Sequence, residues 1–212
     1  MDDRITDLPA RELIERLATS EPIPGGGSAS ALAGAMGAAL VRMVVALTSG
    51  RPAAADAEDQ LAEIAVAAAN CQSELLNLAE LDAIAYDAVV QARRLPKETD
   101  RERQMRAVQV AAATREATRA PMHTARLAAR VLDLAERLAP IGNRNAISDV
   151  GVAALLAAAA IRGAALNVRI NLPYLDDEEP LRDEAATEVD RLLAGLEGHE
   201  RAIRDAVEGR IG

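Results

Sequence analysis

Hydrophobic positions fall at helical spacing along almost the whole chain. Leu13, Ile14 and Leu17 follow Pro9, predicting a short amphipathic helix over 9–19 with proline in its first turn. Pro22-Ile-Pro-Gly-Gly-Gly is a break, after which a second helix is expected over 28–48, ended by Ser49-Gly50-Arg51-Pro52. A long third helix is expected over about 53–94, stopping before Leu95-Pro96. The fourth is expected over about 100–138, with Pro121 inside it as a kink or local break. Pro140-Ile-Gly-Asn-Arg-Asn makes the next loop, a fifth helix follows over about 148–170, and a polar connection leads into a charged sixth over about 181–208. No internal repeat or low-complexity linker divides the chain, so one domain over 1–212 is expected.

These helices differ in kind. The third, fourth and sixth carry charged faces suited to water. The second and fifth are apolar almost all round, which predicts burial on nearly every side. A bundle of six helices has difficulty enclosing two such helices, and a second copy of the chain supplies the missing cover. The expected architecture is therefore an all-α, single-domain bundle of about six helices, two of them nearly fully buried, packed as a homodimer or higher symmetric oligomer. Gly27, Ala31, Gly34 and Ala38 permit the close backbone approach this needs.

Composition sharpens the picture. The chain has 212 residues, including 48 Ala but no Phe or Trp, and its two aromatic residues are Tyr86 and Tyr174. Alanine favours helix, and strand-filling aromatic side chains are scarce, which excludes a β-sandwich or barrel. A net charge of −9 argues against nucleic acid as a partner. The lone Cys71 leaves no disulfide framework within the chain. The start, Met1-Asp-Asp-Arg-Ile-Thr-Asp, lacks the basic region and apolar core of a signal peptide. Uninterrupted apolar runs over 29–41 and 150–161 stop at Arg42 and Arg162, short of the roughly 18 to 20 residues of a membrane span. No membrane partner and a cytoplasmic location are expected.

Four features could carry chemistry. Gly25, Gly26, Gly27 and Ser28 open an apolar helix, where exposed N–H groups and the helix dipole suit an anion or a carbonyl oxygen. The same residues would also serve as a plain turn with Ser28 as N-cap. On the third helix Asp82 and Tyr86 are i, i+4 neighbours, whereas Asp87 points elsewhere and suits a solvated face equally well. Lys97 is the single lysine among 24 basic side chains, a compact ammonium in a chain that otherwise uses guanidinium. Asn143, Arg144, Asn145, Ser148 and Asp149 crowd the mouth of the fifth helix beyond what capping requires, and Asn167 and Asn171 punctuate its far end. His123 and His199 lie far apart in sequence and no cysteine cluster exists, so no metal site is expected.

Taken in order, these stretches resemble the cyclodeaminase/cyclohydrolase family of folate enzymes. The resemblance runs over roughly 8–175 and is carried by Pro22-Ile-Pro-Gly-Gly-Gly-Ser-Ala-Ser-Ala, Asp82-Ala-Ile-Ala-Tyr-Asp87, Arg94-Leu-Pro-Lys97, Pro121, Gly142-Asn-Arg-Asn-Ala-Ile-Ser-Asp149 and Ala164-Ala-Leu-Asn-Val-Arg-Ile-Asn-Leu172. It implies a helical dimer that uses a one-carbon tetrahydrofolate as substrate, with no metal and no further cofactor. Two activities compete: hydrolysis of 5,10-methenyltetrahydrofolate to 10-formyltetrahydrofolate, and elimination of ammonia from 5-formiminotetrahydrofolate. The lack of a formiminotransferase portion in this sequence points to the first, and a non-catalytic scaffold of the same fold is the third reading. The methenyl bridge is a cation that a carboxylate attracts, and its hydrolysis needs a base for water and an acid for the leaving nitrogen. On this reading Asp82 is the base, Lys97 the donor or proton shuttle, and Tyr86 the ring-packing residue. Gly25, Gly26, Gly27, Ser28, Asp87, Arg94, Asn143, Asn145, Ser148, Asp149 and Asn167 are the candidate substrate-binding residues, and Arg93, Arg94 or Arg144 would receive the glutamate tail.

Overall fold

The computed structural model describes residues 4–211; residues 1–3 of the acidic start and residue 212, both counted in the expected domain, lie outside the described residues. Six α-helices form one bundle: α1 (Ala10–Leu17), α2 (Gly26–Thr48), α3 (Glu58–Arg94), α4 (Asp100–Leu138), α5 (Ile147–Asn171) and α6 (Pro180–Ile211). Short 3-10 turns precede or follow them at Ile5–Asp7, Pro52–Ala57, Arg144–Ala146 and Leu172–Tyr174. No strand occurs among the described residues.

Local chemistry sets the helix ends. α4 starts on a capping box, in which the Thr99 hydroxyl accepts from the Glu102 N–H and the Glu102 carboxylate accepts from the Thr99 N–H. Pro52 leads the chain into a 3-10 turn, so the first residues of the expected third helix wind more tightly than an α-helix. α2 begins two residues earlier than the sequence suggested, because Gly25 is extended and acts as the cap residue. Ser28 therefore lies inside the first turn, and its side chain is free to leave the helix for α3.

Pro121 does not break α4, which continues through it. A proline at that position removes the N–H that would bond the carbonyl of Ala117, one turn earlier. Asn171 repairs the loss: its Nδ2 donates to Ala117 O at 2.7 Å. An amide at the end of α5 thus satisfies a carbonyl that α4 cannot satisfy itself.

α2 packs on both α3 and α5, α4 packs on α3 and α5, and α6 lies across α4 and α5. The core between them is built from small and branched aliphatic side chains, with Ala31, Ala38 and Val41 of α2, Leu61, Ile64 and Leu75 of α3, Val131 and Leu138 of α4, and Val150, Ala157 and Ile161 of α5. Glycine lets α2 lie close to its neighbours. A Cβ on Gly34 would meet Leu75 at 3.2 Å and Ala160 at 3.4 Å, and one on Gly37 would meet the Ala153 carbonyl at 3.0 Å. Arg126 on α4 secures α6 through Glu188 at 2.9 Å and Glu184 at 3.3 Å.

The expectation that α2 and α5 are buried all round is corrected for the single chain. Each buries an inner face but leaves an outer stripe open: Met36, Met43 and Leu47 on α2, and Val152, Leu155, Leu166 and Ile170 on α5, with Leu155 65 % exposed. Both helices also run on past the arginines that end their apolar runs, so by length and composition alone each could cross a membrane. Half of each apolar window is buried inside the bundle.

Candidate active site

α2 and α5 run antiparallel, which brings the first turn of α2 beside the last turns of α5, and α3 passes alongside. At this end of the bundle lies a cavity of about 350 Å³. Its walls are the Pro22–Gly27 entrance of α2, a stripe of α3 (Asp82, Tyr86, Val89, Arg93), Ala117 of α4, and Asn167, Ile170, Asn171 and Tyr174 from the end of α5 and the turn beyond. The α3 residues recur every three or four positions, so one helix face supplies a carboxylate, a phenol and a guanidinium to one space.

Asp82 is seated against the backbone of α2. A Cβ on Gly27 would overlap the Asp82 carboxyl group, so glycine at this position is what allows the acid to enter. Oδ2 of Asp82 lies 3.2 Å from Oγ of Ser28, whose hydroxyl also donates to the Ala79 carbonyl at 2.8 Å. Burial pushes the Asp82 carboxyl above the usual carboxylate range, and Ser28 pulls the other way through its hydroxyl and its backbone N–H. Among the described residues it is the only carboxylate raised in this way. A carboxylic acid whose proton affinity is raised by burial in a cavity is a candidate for proton transfer.

The two tyrosines, 88 residues apart in sequence, both line this cavity. Tyr86 is half-exposed at its wall, and Arg93 lies over the ring of Tyr174 with its guanidinium carbon 4.7 Å from the centroid. Asn167 lies against Gly26 and bonds back to the Gly163 carbonyl at 2.8 Å. Gly25, Gly26, Gly27, Ser28, Asp82, Tyr86 and Asn167 are therefore brought together.

Other expected site residues lie elsewhere. Lys97 is exposed in the α3–α4 loop, outside the cavity lining, and its carbonyl accepts from Arg103 at 3.1 Å. Arg94 is exposed at the end of α3, roughly 18 Å along that helix from Asp82. Its neighbour Arg93 lines the cavity instead, since successive helical residues point about 100° apart. Asp87 is exposed beyond the lining and accepts from Gln91 at 3.3 Å. Asn143, Asn145, Ser148 and Asp149 sit at the opposite end of α5, with Asp149 roughly 27 Å along the helix from Asn167. Asn143 clasps the end of α2: its N–H donates to Thr48 Oγ1 at 3.0 Å, its amide donates to Leu47 O at 3.1 Å, and its Oδ1 accepts from the Asn145 N–H. In a single chain Asn143 and Asn145 hold the loop before α5, and Ser148 and Asp149 sit in the first turn of that helix. None of the four lines the Asp82 cavity.

Tyr174, Val89 and Ile23 line the cavity without having been singled out as site residues, and Asn171, noted with Asn167 at the end of the fifth helix, lines it too. The signal for Tyr174 was its rarity as one of two aromatic side chains; its position after the fifth helix gave no hint of the Arg93 contact. Folding also joins His199 to Asp133 and Glu136 on the exposed side of α4 and α6, at 3.5 and 3.2 Å, far apart though they are in sequence.

Known proteins resemble this chain in sequence and in fold. A sequence profile described as formiminotransferase-cyclodeaminase matches residues 9–191. The chain belongs to that family. Within the formiminotransferase-cyclodeaminase family it is 40 % identical to the methenyltetrahydrofolate cyclohydrolase of Methylorubrum extorquens, over 93 % of this chain and 95 % of that protein. It is 30 % identical to the formimidoyltransferase-cyclodeaminase of Mus musculus, over 92 % of this chain but 38 % of that longer protein. The crystal structure of formiminotetrahydrofolate cyclodeaminase from Thermotoga maritima superposes with a TM-score of 0.86 at 28 % identity, covering 98 % of this chain and all of that one.

Proposed function

We propose that this protein is a methenyltetrahydrofolate cyclohydrolase, converting 5,10-methenyltetrahydrofolate and water to 10-formyltetrahydrofolate and a proton. The observation that carries the reading is the Asp82 carboxyl group in a ring-lined cavity of a chain matched almost end to end by the Methylorubrum extorquens enzyme. The methenyl carbon is an amidinium-like cation, and its charge favours an ionised Asp82 beside it. Asp82 takes a proton as water attacks that carbon, and returns it to the ring nitrogen that leaves when the tetrahedral adduct collapses. The adduct hydroxyl gives its own proton to solvent as the formyl carbonyl forms. A base with a raised proton affinity is better matched to this task than an ordinary carboxylate. Tyr86 and Tyr174 offer flat faces to the ring systems, and Arg93 stands ready for a tail carboxylate. Lys97 has no place in the cavity of one chain and takes no part in this scheme.

A second reading is favoured by the Thermotoga maritima likeness: ammonia elimination from 5-formiminotetrahydrofolate. There a protonated Asp82 would donate to the departing amine. One paired assay separates the readings. The cyclohydrolase clears the near-ultraviolet absorbance of methenyltetrahydrofolate above the buffer rate and releases no ammonia from the formimino compound. Ammonia release would support the cyclodeaminase, and inertness with both would leave a folate-fold scaffold.

The protein acts as a cytoplasmic homodimer in this proposal. The open apolar stripes on α2 and α5 form one face, and a second copy supplies its cover. A two-fold axis lying in that interface at right angles to α2 and α5 would lay the 143–149 end of one copy over the Asp82 end of the other, joining the two groups of candidate binding residues across the interface.

A further inference from the structure

Ser28 has a role distinct from touching substrate. The residue is fully buried, with a relative exposure of 0 %, and its backbone lies in the first turn of α2 behind the cavity wall. Its hydroxyl carries one hydrogen and faces two oxygens: Ala79 O at 2.8 Å and Asp82 Oδ2 at 3.2 Å. That hydrogen can serve only one of them at a time.

With the hydrogen on Ala79 O, a lone pair of Oγ faces Oδ2. A protonated Asp82 fills that gap by donating to Oγ, whereas an ionised Asp82 would meet lone pair against lone pair. With the hydrogen turned to Oδ2, the ionised carboxylate is the satisfied form. Ala79 O does not suffer from the turn, since it sits inside α3 and keeps its helical donor. The side-chain-free Gly27 lies against the carboxyl group on the other side, which lets Asp82 approach the start of α2 closely enough to meet Oγ.

We propose that Ser28 is a positioning residue whose hydroxyl rotates between Ala79 O and Asp82 Oδ2, accepting from the acid and donating to the carboxylate. The inference rests on the reading of Asp82 as the proton-exchanging group, but not on which folate reaction it serves. The other ionisable or charged groups facing the cavity are Tyr86 and Arg93 of α3 and Tyr174 beyond α5. α2 presents no ionisable side chain there, α4 presents Ala117, and α5 presents the neutral Asn167 and Asn171. Asp82 is the one carboxylic acid in the set.

The test is a carbon-13 carboxyl titration of aspartate-labelled protein, with Asp82→Asn identifying the Asp82 signal. In Ser28→Ala the Asp82 midpoint moves to higher pH, because the ionised form loses its donor. The acidic limb of the kcat–pH profile moves with it, and the rate at the low-pH end falls roughly tenfold further than the plateau. Ser28→Cys, which retains side-chain volume and a weak donor, moves the midpoint in the same direction by less. An unchanged midpoint in a folded Ser28→Ala or Ser28→Cys protein overturns the rotor role and leaves Ser28 as packing. Because the titration needs no substrate, a protein inert toward folates would sink the proposed function while still deciding the role of Ser28.

Discussion

Gly27 and Asp82 occupy complementary space: the side chain that one lacks would overlap the carboxyl group of the other. The contact ties the first turn of a nearly featureless apolar helix to a carboxylate whose proton affinity burial raises. Gly27→Ala is expected to fold, since the Asp82 side chain can swing aside and alanine favours the helix by up to about 1 kcal/mol. The displaced carboxyl group no longer faces the cavity as before, and turnover falls about a hundredfold. Steady-state kinetics beside a urea melt would show the split between activity and stability.

Asp82 should weaken the fold at neutral pH. Its folded proton affinity is raised above that of the unfolded chain, so the folded state binds protons more readily. Stability from this group is present below the ordinary carboxylate value of 3.8 and is lost as pH rises through the raised value. Asp82→Asn removes that loss. Its midpoint of thermal unfolding is expected to exceed that of the natural chain at pH 7, with the advantage vanishing below pH 3.8, while kcat drops by a hundredfold or more. Equal melting curves across the range would contradict the burial effect.

Asn171 carries a structural debt left by Pro121. Replacing it with alanine leaves the Ala117 carbonyl without its 2.7 Å donor, and a loss of about 1 kcal/mol is expected in urea unfolding. The double change with Pro121→Ala should recover most of it, because the alanine N–H bonds that carbonyl within α4. Additive losses in the double-mutant cycle would show that the two sites are independent.

The open α2/α5 face predicts both assembly and its location. Leu155→Glu places a charge on a side chain that is 65 % exposed in the single chain, so a lone protomer should tolerate it. In the proposed homodimer a second copy covers that position, so sedimentation of the variant should show monomers. If the 143–149 turn completes the partner's site, inactive Asp82→Asn and Asp149→Asn proteins should regain up to about a quarter of normal activity when refolded together, since mixed dimers hold one intact site of two. No recovery on mixing would place each site within one chain.

Much of the architecture was legible in order. Residues 100–138 read as one helix with a kink or break at Pro121, and the structure gives α4 those limits while carrying the helix through the proline. The α2 start was less legible, because glycine does not say whether it will be a turn or a first helical turn until its neighbours pack. Lys97 was marked as the single lysine and, with Arg94, by the Arg94-Leu-Pro-Lys97 stretch of the family resemblance, and neither signal says which way a loop or a helix end points. Arg93, one position earlier, is the residue that reaches Tyr174.

By itself the sequence determined that this chain forms long helices, two of them too apolar to stand in water unaided, with a carboxylate and a tyrosine one turn apart. Those are local properties, set by propensity and periodicity within a few residues. Tertiary structure alone decided that Gly27 admits Asp82, that Tyr174 returns to meet Arg93, and that the 143–149 residues lie at the far end of the bundle. These relationships depend on antiparallel helices of fixed rise: a few residues' difference along a helix moves a side chain by several ångströms and turns it to another face.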